Sequence, residues 1–223
     1  MLKKSKPELT VMLTYQDRTV PNAWDVFESC KNTAARCWGF KEEPLPLLEM
    51  KALYDYMKTY GKTTALEVVA YTESECVKGA ETAAFCGVDY LMGTMFFDSV
   101  LEICKKHGIR YYPFVGKIHD RPSILEGTPE EMIEEARICL EKGVDGIDLL
   151  GYRYTGDATA LCCRFVRETP APVCLAGSIN SLQRLDEVKD IGPASFTIGS
   201  AFFNHCFGTD IAEQIDYVVK YIG

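Results

Sequence analysis

Histidine is scarce in this 223-residue chain, with His107, His119 and His205 far apart, and none of its ten cysteines forms a Cys-x-x-Cys pair. A zinc knuckle or histidine-rich metal centre needs closely spaced nitrogen and sulfur ligands, so little here can build one. The His119-Asp120 pair alone keeps a divalent cation in view, and no cofactor is expected. Without a disulfide-like spacing the cysteines read as reduced, small buried hydrophobes. No apolar run approaches the ~18 residues of a membrane span. The segment Met1-Leu2-Lys3-Lys4-Ser5-Lys6-Pro7 lacks the apolar core of a secretory signal. A cytoplasmic protein with no membrane partner is therefore expected. Basic residues are outnumbered 24 to 32, for a formal charge of −8. That balance argues against a nucleic-acid partner, because phosphate backbones are held by many Lys and Arg at once. Linkers, low-complexity runs and composition breaks are lacking too, which points to one domain over 1–223.

What the chain has is alternation. Strand-like runs at Leu9–Thr14, Arg36–Phe40, Ala65–Tyr71, Val88–Gly93, Arg110–Val115, Val144–Leu150, Val173–Leu175 and Phe196–Ile198 are each followed by a helical pattern. Thr128-Pro129-Glu130-Glu131 reads as a capping box with Pro in the first turn. Eight buried strands with covering helices predict an α/β fold, a (βα)8 TIM barrel. A doubly wound open sheet is the other arrangement that such alternation permits.

Two turns near the C-terminus stand out, Val173-Cys174-Leu175-Ala176-Gly177-Ser178-Ile179 and Phe196-Thr197-Ile198-Gly199-Ser200-Ala201-Phe202-Phe203. Each sets a glycine and a small hydroxyl residue after an apolar strand, where backbone N–H groups can meet an anion. With Ala176-Gly177-Ser178 and Ile198-Gly199-Ser200-Ala201 the chain resembles the ribulose-phosphate-binding barrel superfamily. The resemblance implies that Gly177, Ser178, Gly199 and Ser200 bind a substrate phosphate and that the ligand is a small phosphorylated metabolite. Many of those relatives carry Gly-Gly where this chain has Gly177-Ser178. The third strand, Leu66-Glu67-Val68-Val69, also lacks the Asp-x-Lys signature of the keto-gulonate-phosphate decarboxylases, and the paired histidines of the metal-dependent epimerases are missing.

In such a barrel, chemistry gathers at the C-terminal strand ends. Alternation turns Glu67 and Asp148 toward the barrel axis, where a carboxylate must be paired, protonated or facing ligand. Lys41 ends the second strand and Lys117 is read at the end of the fifth. Glu67, Lys117, Asp148 and Lys41 are the catalytic candidates, with a structural ion pair or a solvated loop lysine as the bland alternatives. Asp17, His119 and Arg153 complete the ring as substrate-binding candidates. Tyr152, Tyr154 and Phe203 are read as exposed groups for an interface or lid, which leaves a homo-oligomer open. The expected activity is that of an isomerase, epimerase or lyase (aldolase or decarboxylase) on a phosphorylated sugar or sugar acid. The alternative is a metabolite-phosphate sensor resembling the glycerol-phosphate-responsive antiterminators, against which the acidic balance weighs.

Overall fold

In the computed structural model, which describes residues 6–223, strands and helices alternate along the whole described chain. Met1–Ser5, on which the cytoplasmic expectation largely rested, lie outside the described residues. The barrel strands are β1 (Glu8–Met12), β2 (Cys37–Lys41), β3 (Thr63–Val68), β4 (Tyr90–Gly93), β5 (Arg110–Tyr112), β6 (Ile147–Leu149), β7 (Val173–Leu175) and β8 (Ser195–Ile198). They form one eight-stranded sheet of parallel pairs, running β6-β7-β8-β1-β2-β3-β4-β5. The seam between β5 and β6 is closed by individual hydrogen bonds. The Asp145 N–H donates to the Tyr111 carbonyl (3.1 Å), the Tyr111 N–H donates to Asp145 Oδ2 (3.0 Å), and the Asp148 N–H donates to the Pro113 carbonyl (3.0 Å). The sheet thus curls into the expected barrel, and the open-sheet alternative is set aside.

Period-two alternation decides which side chains face where. Trp38, Phe40, Leu66, Leu91, Tyr111, Ile147, Leu149, Phe196 and Ile198 join the main core between sheet and helices. Cys37, Ala65, Met92, Tyr112 and Cys174 form a separate buried cluster inside the barrel. The covering helices are α1 (Ala23–Cys30), α2 (Leu47–Thr59), α3 (Glu73–Cys86), α4 (Asp98–His107), α5 (Pro129–Lys142), α6 (Ala158–Glu168) and α7 (Leu182–Ile191), then short α8 (Ser200–Phe203) and α9 (Ile211–Ile222). The capping box opens α5 as expected: Thr128 Oγ1 accepts from the Glu131 N–H, and Glu131 accepts from the Thr128 N–H at 3.0 Å. At the strand starts Asp89 Oδ2 accepts from the Thr64 N–H at 2.7 Å, and Asp145 Oδ2 takes the corresponding place at the Tyr111 N–H.

Two hairpins were not foreseen. Thr14–Tyr15 pairs with Arg18–Thr19 after β1, and Lys117–His119 pairs with Ile124–Glu126 after β5. β5 ends at Tyr112 because Pro113 has no N–H to continue a ladder. The chain therefore leaves the barrel before Lys117, which changes where that lysine stands.

Candidate functional site

The C-terminal ends of the strands surround a cavity of about 200 Å³. Its floor is set by strand register. Lys41, the last residue of β2, pairs with Glu67 on β3. Thr19 ties Lys41 at the backbone, its hydroxyl donating to the Lys41 carbonyl (2.8 Å) and accepting from the Lys41 N–H (2.9 Å). The ammonium then lies between two carboxylates, with Nζ 2.8 Å from Glu67 Oε1 and 2.7 Å from Asp17 Oδ1. Asp17 reaches it from the first hairpin, where Gln16 and Asp17 both have positive φ (48° and 66°), a conformation uncommon for non-glycine residues.

The charges explain one another. Burial opposes the Lys41 ammonium, yet the neighbouring Glu67 and Asp17 carboxylates outweigh it and hold its pKa above that of a free lysine. Burial likewise opposes ionised Asp17, but Lys41, then Arg153 and Arg121, hold its carboxyl below the usual range. Asp148 is the reverse case. It is fully buried, no side chain among the described residues hydrogen-bonds its carboxyl oxygens, and it is not in the cavity wall. Burial, then the Glu67 charge, pushes its pKa well above the carboxylate range, against the opposing pull of Lys41.

The glycine turns form the opposite wall. Gly177, Ser178, Gly199 and Ser200 all line the cavity, together with Asn180, Asn204, Thr14 and Thr197. A Cβ on Gly199 would lie 2.3 Å from Thr14 Oγ1 and 3.0 Å from the Thr14 carbonyl, so only glycine permits this approach of the turn after β8 to the first hairpin. Gly177 has φ +120°, and a Cβ there would meet the Tyr152 and Arg153 backbone at 3.1 and 3.2 Å. Ser200 opens α8, and its Oγ accepts from the Gln16 N–H at 3.1 Å. Arg153, from the 3-10 turn Gly151–Arg153, also lines the cavity; its guanidinium makes no hydrogen bond or ion pair with any described residue.

The structure thus gathers Lys41, Glu67, Asp17, Arg153 and the four turn residues around one space, with Asp148 buried in the barrel alongside. It does not bring Lys117 or His119 there. Lys117 is exposed on the second hairpin, because the strand expected to deliver it stops five residues earlier, at Tyr112. His119 is exposed beside it, with Nδ1 3.0 Å from Asp120 Oδ2 and Nε2 3.6 Å from Glu126 Oε2. Tyr152 is buried under the Arg184 guanidinium, not exposed as its sequence context suggested. Among the described residues no group of three or more His, Cys, Asp or Glu side chains is arranged to hold a metal. All ten cysteines are free; eight are buried.

Sequence reasoning missed two residues of the second hairpin. Ser123 lines the cavity, and Arg121 makes ion pairs with Glu42 (3.3 Å) and Glu43 (2.5 Å) and approaches Asp17 Oδ2 (3.9 Å). Arg121 therefore binds the hairpin to the loops after β1 and β2. Asn180, by contrast, was within reach of the sequence, since it lies two residues beyond Ser178.

No protein-family model and no curated protein matches the sequence. Solved structures do match in fold. The native KDPGal structure aligns with a TM-score of 0.71 at 14% identity, covering 99% of this chain and 97% of the other. Orotidine 5'-phosphate decarboxylase from Pyrococcus horikoshii OT3 aligns with a TM-score of 0.70 at 14% identity, covering 96% and 98%. A glycerol uptake operon antiterminator regulatory protein from Listeria monocytogenes str. 4b F2365 aligns with a TM-score of 0.61 at 15% identity, covering 89% and 95%. The shared architecture is the (βα)8 barrel that the strand–helix alternation predicted. At such identities the likeness carries the fold alone; a decarboxylase and a regulatory protein share it.

Proposed function

We propose that this chain is an enzyme acting on a small phosphorylated sugar or sugar acid, by isomerisation or by cleavage of a carbon–carbon bond next to a carbonyl. The observation that carries this reading is the buried Lys41 ammonium, clasped by Asp17 and Glu67 at the floor of a cavity whose facing wall is the pair of glycine-serine turns. The phosphate is assigned to Gly177, Ser178, Gly199 and Ser200, with Arg153, which makes no ion pair among the described residues, as the cation nearby. Held there, the substrate brings its reacting carbon toward the floor, so remote binding energy fixes orientation.

Isomerisation and cleavage both build negative charge on a carbonyl oxygen. Lys41 meets that charge as a fixed cation in a water-poor site. Glu67 and Asp17 are the bases within reach of a carbon-bound proton, and binding of an anionic substrate to Lys41 frees one of them for that work. A lysine nucleophile must first lose its proton. Because both neighbours hold Lys41 charged, acid–base chemistry is favoured over a Schiff base.

A thermal-shift screen of triose, pentose and sugar-acid phosphates tests the reading. A ligand at a hundred times its Kd adds about 2.7 kcal/mol to stability, and for a domain of this size that raises Tm by roughly 5–11 °C. Hits are then followed by NMR in D2O, where isomerase chemistry exchanges a carbon-bound proton and lyase chemistry releases a smaller product. Absence of any phosphorylated hit overturns the reading of the ligand. A hit with neither exchange nor cleavage overturns the enzyme and favours a metabolite sensor.

A further inference from the structure

The opposite mouth of the barrel holds a second cavity, of about 510 Å³, which shares no lining residue with the first. Glu8, Thr63, Tyr90, Arg110 and Ser195, the first residues of β1, β3, β4, β5 and β8, surround it. Barrel interiors are normally filled by layers of bulky branched side chains. Here β8, β1, β2 and β3 contribute Ser195, Thr10, Cys37 and Thr63 to the cavity wall, all of them small. The other side is an aromatic wall, Tyr90 set edge-on to Tyr112 with centroids 5.4 Å apart, continued by Met92.

Two arginines stand at this mouth in different states. Arg36 Nε is engaged by Glu8 at 3.3 Å. Arg110 lies over the Tyr90 ring, its Cζ 3.8 Å from the centroid, and its guanidinium has no hydrogen bond or ion pair among the described residues. A planar donor fork with nothing bonded to it, stacked at the edge of an aromatic cavity, matches a carboxylate. Glu8 on the same rim disfavours a dianion such as phosphate. The volume falls within the range of small-molecule sites, which combine apolar walls with a few placed polar groups.

We propose that this cavity is a second binding site, separate from the one at the C-terminal strand ends, for a small organic monocarboxylate with an apolar body. Arg110 takes the carboxylate, and the body lies against Tyr112 and Met92. Benzoate is the probe, with saturation-transfer NMR and calorimetry on the full chain as the readouts. Saturable binding is expected, weakened about tenfold or more by Arg110→Ala, in keeping with loss of a charge-assisted contact. Neutral benzamide is expected to bind at least about tenfold more weakly, for the same reason. Ser195→Phe, which fills the void, is expected to abolish binding, and inorganic phosphate is expected not to displace benzoate. The proposal is overturned by lack of saturable benzoate binding, by equal affinity in Arg110→Ala, by benzamide binding as well as benzoate, or by displacement with phosphate. Should Ser195→Phe fail to fold, the Arg110 variant and the benzamide comparison still decide.

Discussion

Lys41→Met removes one charge that serves two carboxylates while keeping most of the apolar stem. Lys41 is 4% exposed, and its partners sit at 2.7 and 2.8 Å. Deleting one member of a buried ion pair costs about 3–5 kcal/mol, because the remaining charge is left uncompensated. For a chain of this length each kcal/mol shifts Tm by about 2–4 °C, so a fall of roughly 6–20 °C is expected at neutral pH. The pH dependence is the sharper readout. In the parent, the depressed Asp17 pKa contributes stability above the ordinary carboxylate value of about 3.9, lost as pH falls through the folded value. The raised Lys41 pKa contributes stability below the ordinary lysine value of about 10.4, lost as pH rises through the folded value. The cluster's contribution is therefore constant between those limits. In the variant, Asp17 has lost the cation that held its carboxyl ionised and is relieved by taking up a proton, so the deficit should shrink as pH falls toward about 4. Circular-dichroism melts of both proteins across that range measure it, and adding Glu67→Gln to the variant should recover part of the loss. A variant that melts with the parent, or a deficit independent of pH, would refute the reasoning.

Asp148→Asn should be at least as stable as the parent at pH 8 and should lose any advantage near pH 4. A raised carboxyl pKa means that the folded state keeps a proton which the unfolded state releases, so the parent loses stability as pH rises from the unfolded value toward the folded one. Urea melts at the two pH values decide, and an asparagine variant clearly weaker at pH 8 would show an ionised, partnered Asp148 instead. Gly199→Ala drives a Cβ toward Thr14 Oγ1 and the Thr14 carbonyl; a stability loss of about 1–3 kcal/mol is expected. Calorimetry with the phosphorylated ligand found by screening should show binding weakened far beyond that of a control such as Thr128→Ala, which costs about 1 kcal/mol at a helix cap. Thiol titration of the native protein should count two fast cysteines, Cys163 and Cys206, against ten after denaturation, since the other eight are buried. More than two fast thiols would show that the helix layer opens readily.

Lys41 and Lys117 show where a sequence can locate a side chain and where it cannot. Both follow an apolar strand run and both stand near residues of opposite charge. Lys41 still belongs to a ladder, with Glu67 as its register partner, so two-residue alternation fixes the side of the sheet it occupies. The same parity made Glu67 and Asp148 legible as inward carboxylates, because Leu66 and Ile147 beside them are apolar enough to claim the helix side. Lys117 lies beyond Pro113, after the last ladder pair of β5, and there parity carries no information. What the chain does next depends on Gly116 turning at φ +89° and on a hairpin whose strands are only three residues each. Arg121 was invisible for a related reason: its approach to Asp17 spans 104 residues, and no local pattern encodes that distance. Strand periodicity thus specified the barrel wall and the charges built into it, whereas the groups that close over the cavity come from loops whose geometry is set by tertiary contact. The Lys41–Glu67 pair, fixed by register, is accordingly the part of this site that should survive changes in loop sequence, whereas Asp17 depends on the turn that delivers it. Arg121 and Ser123 are where variation would alter what the cavity admits.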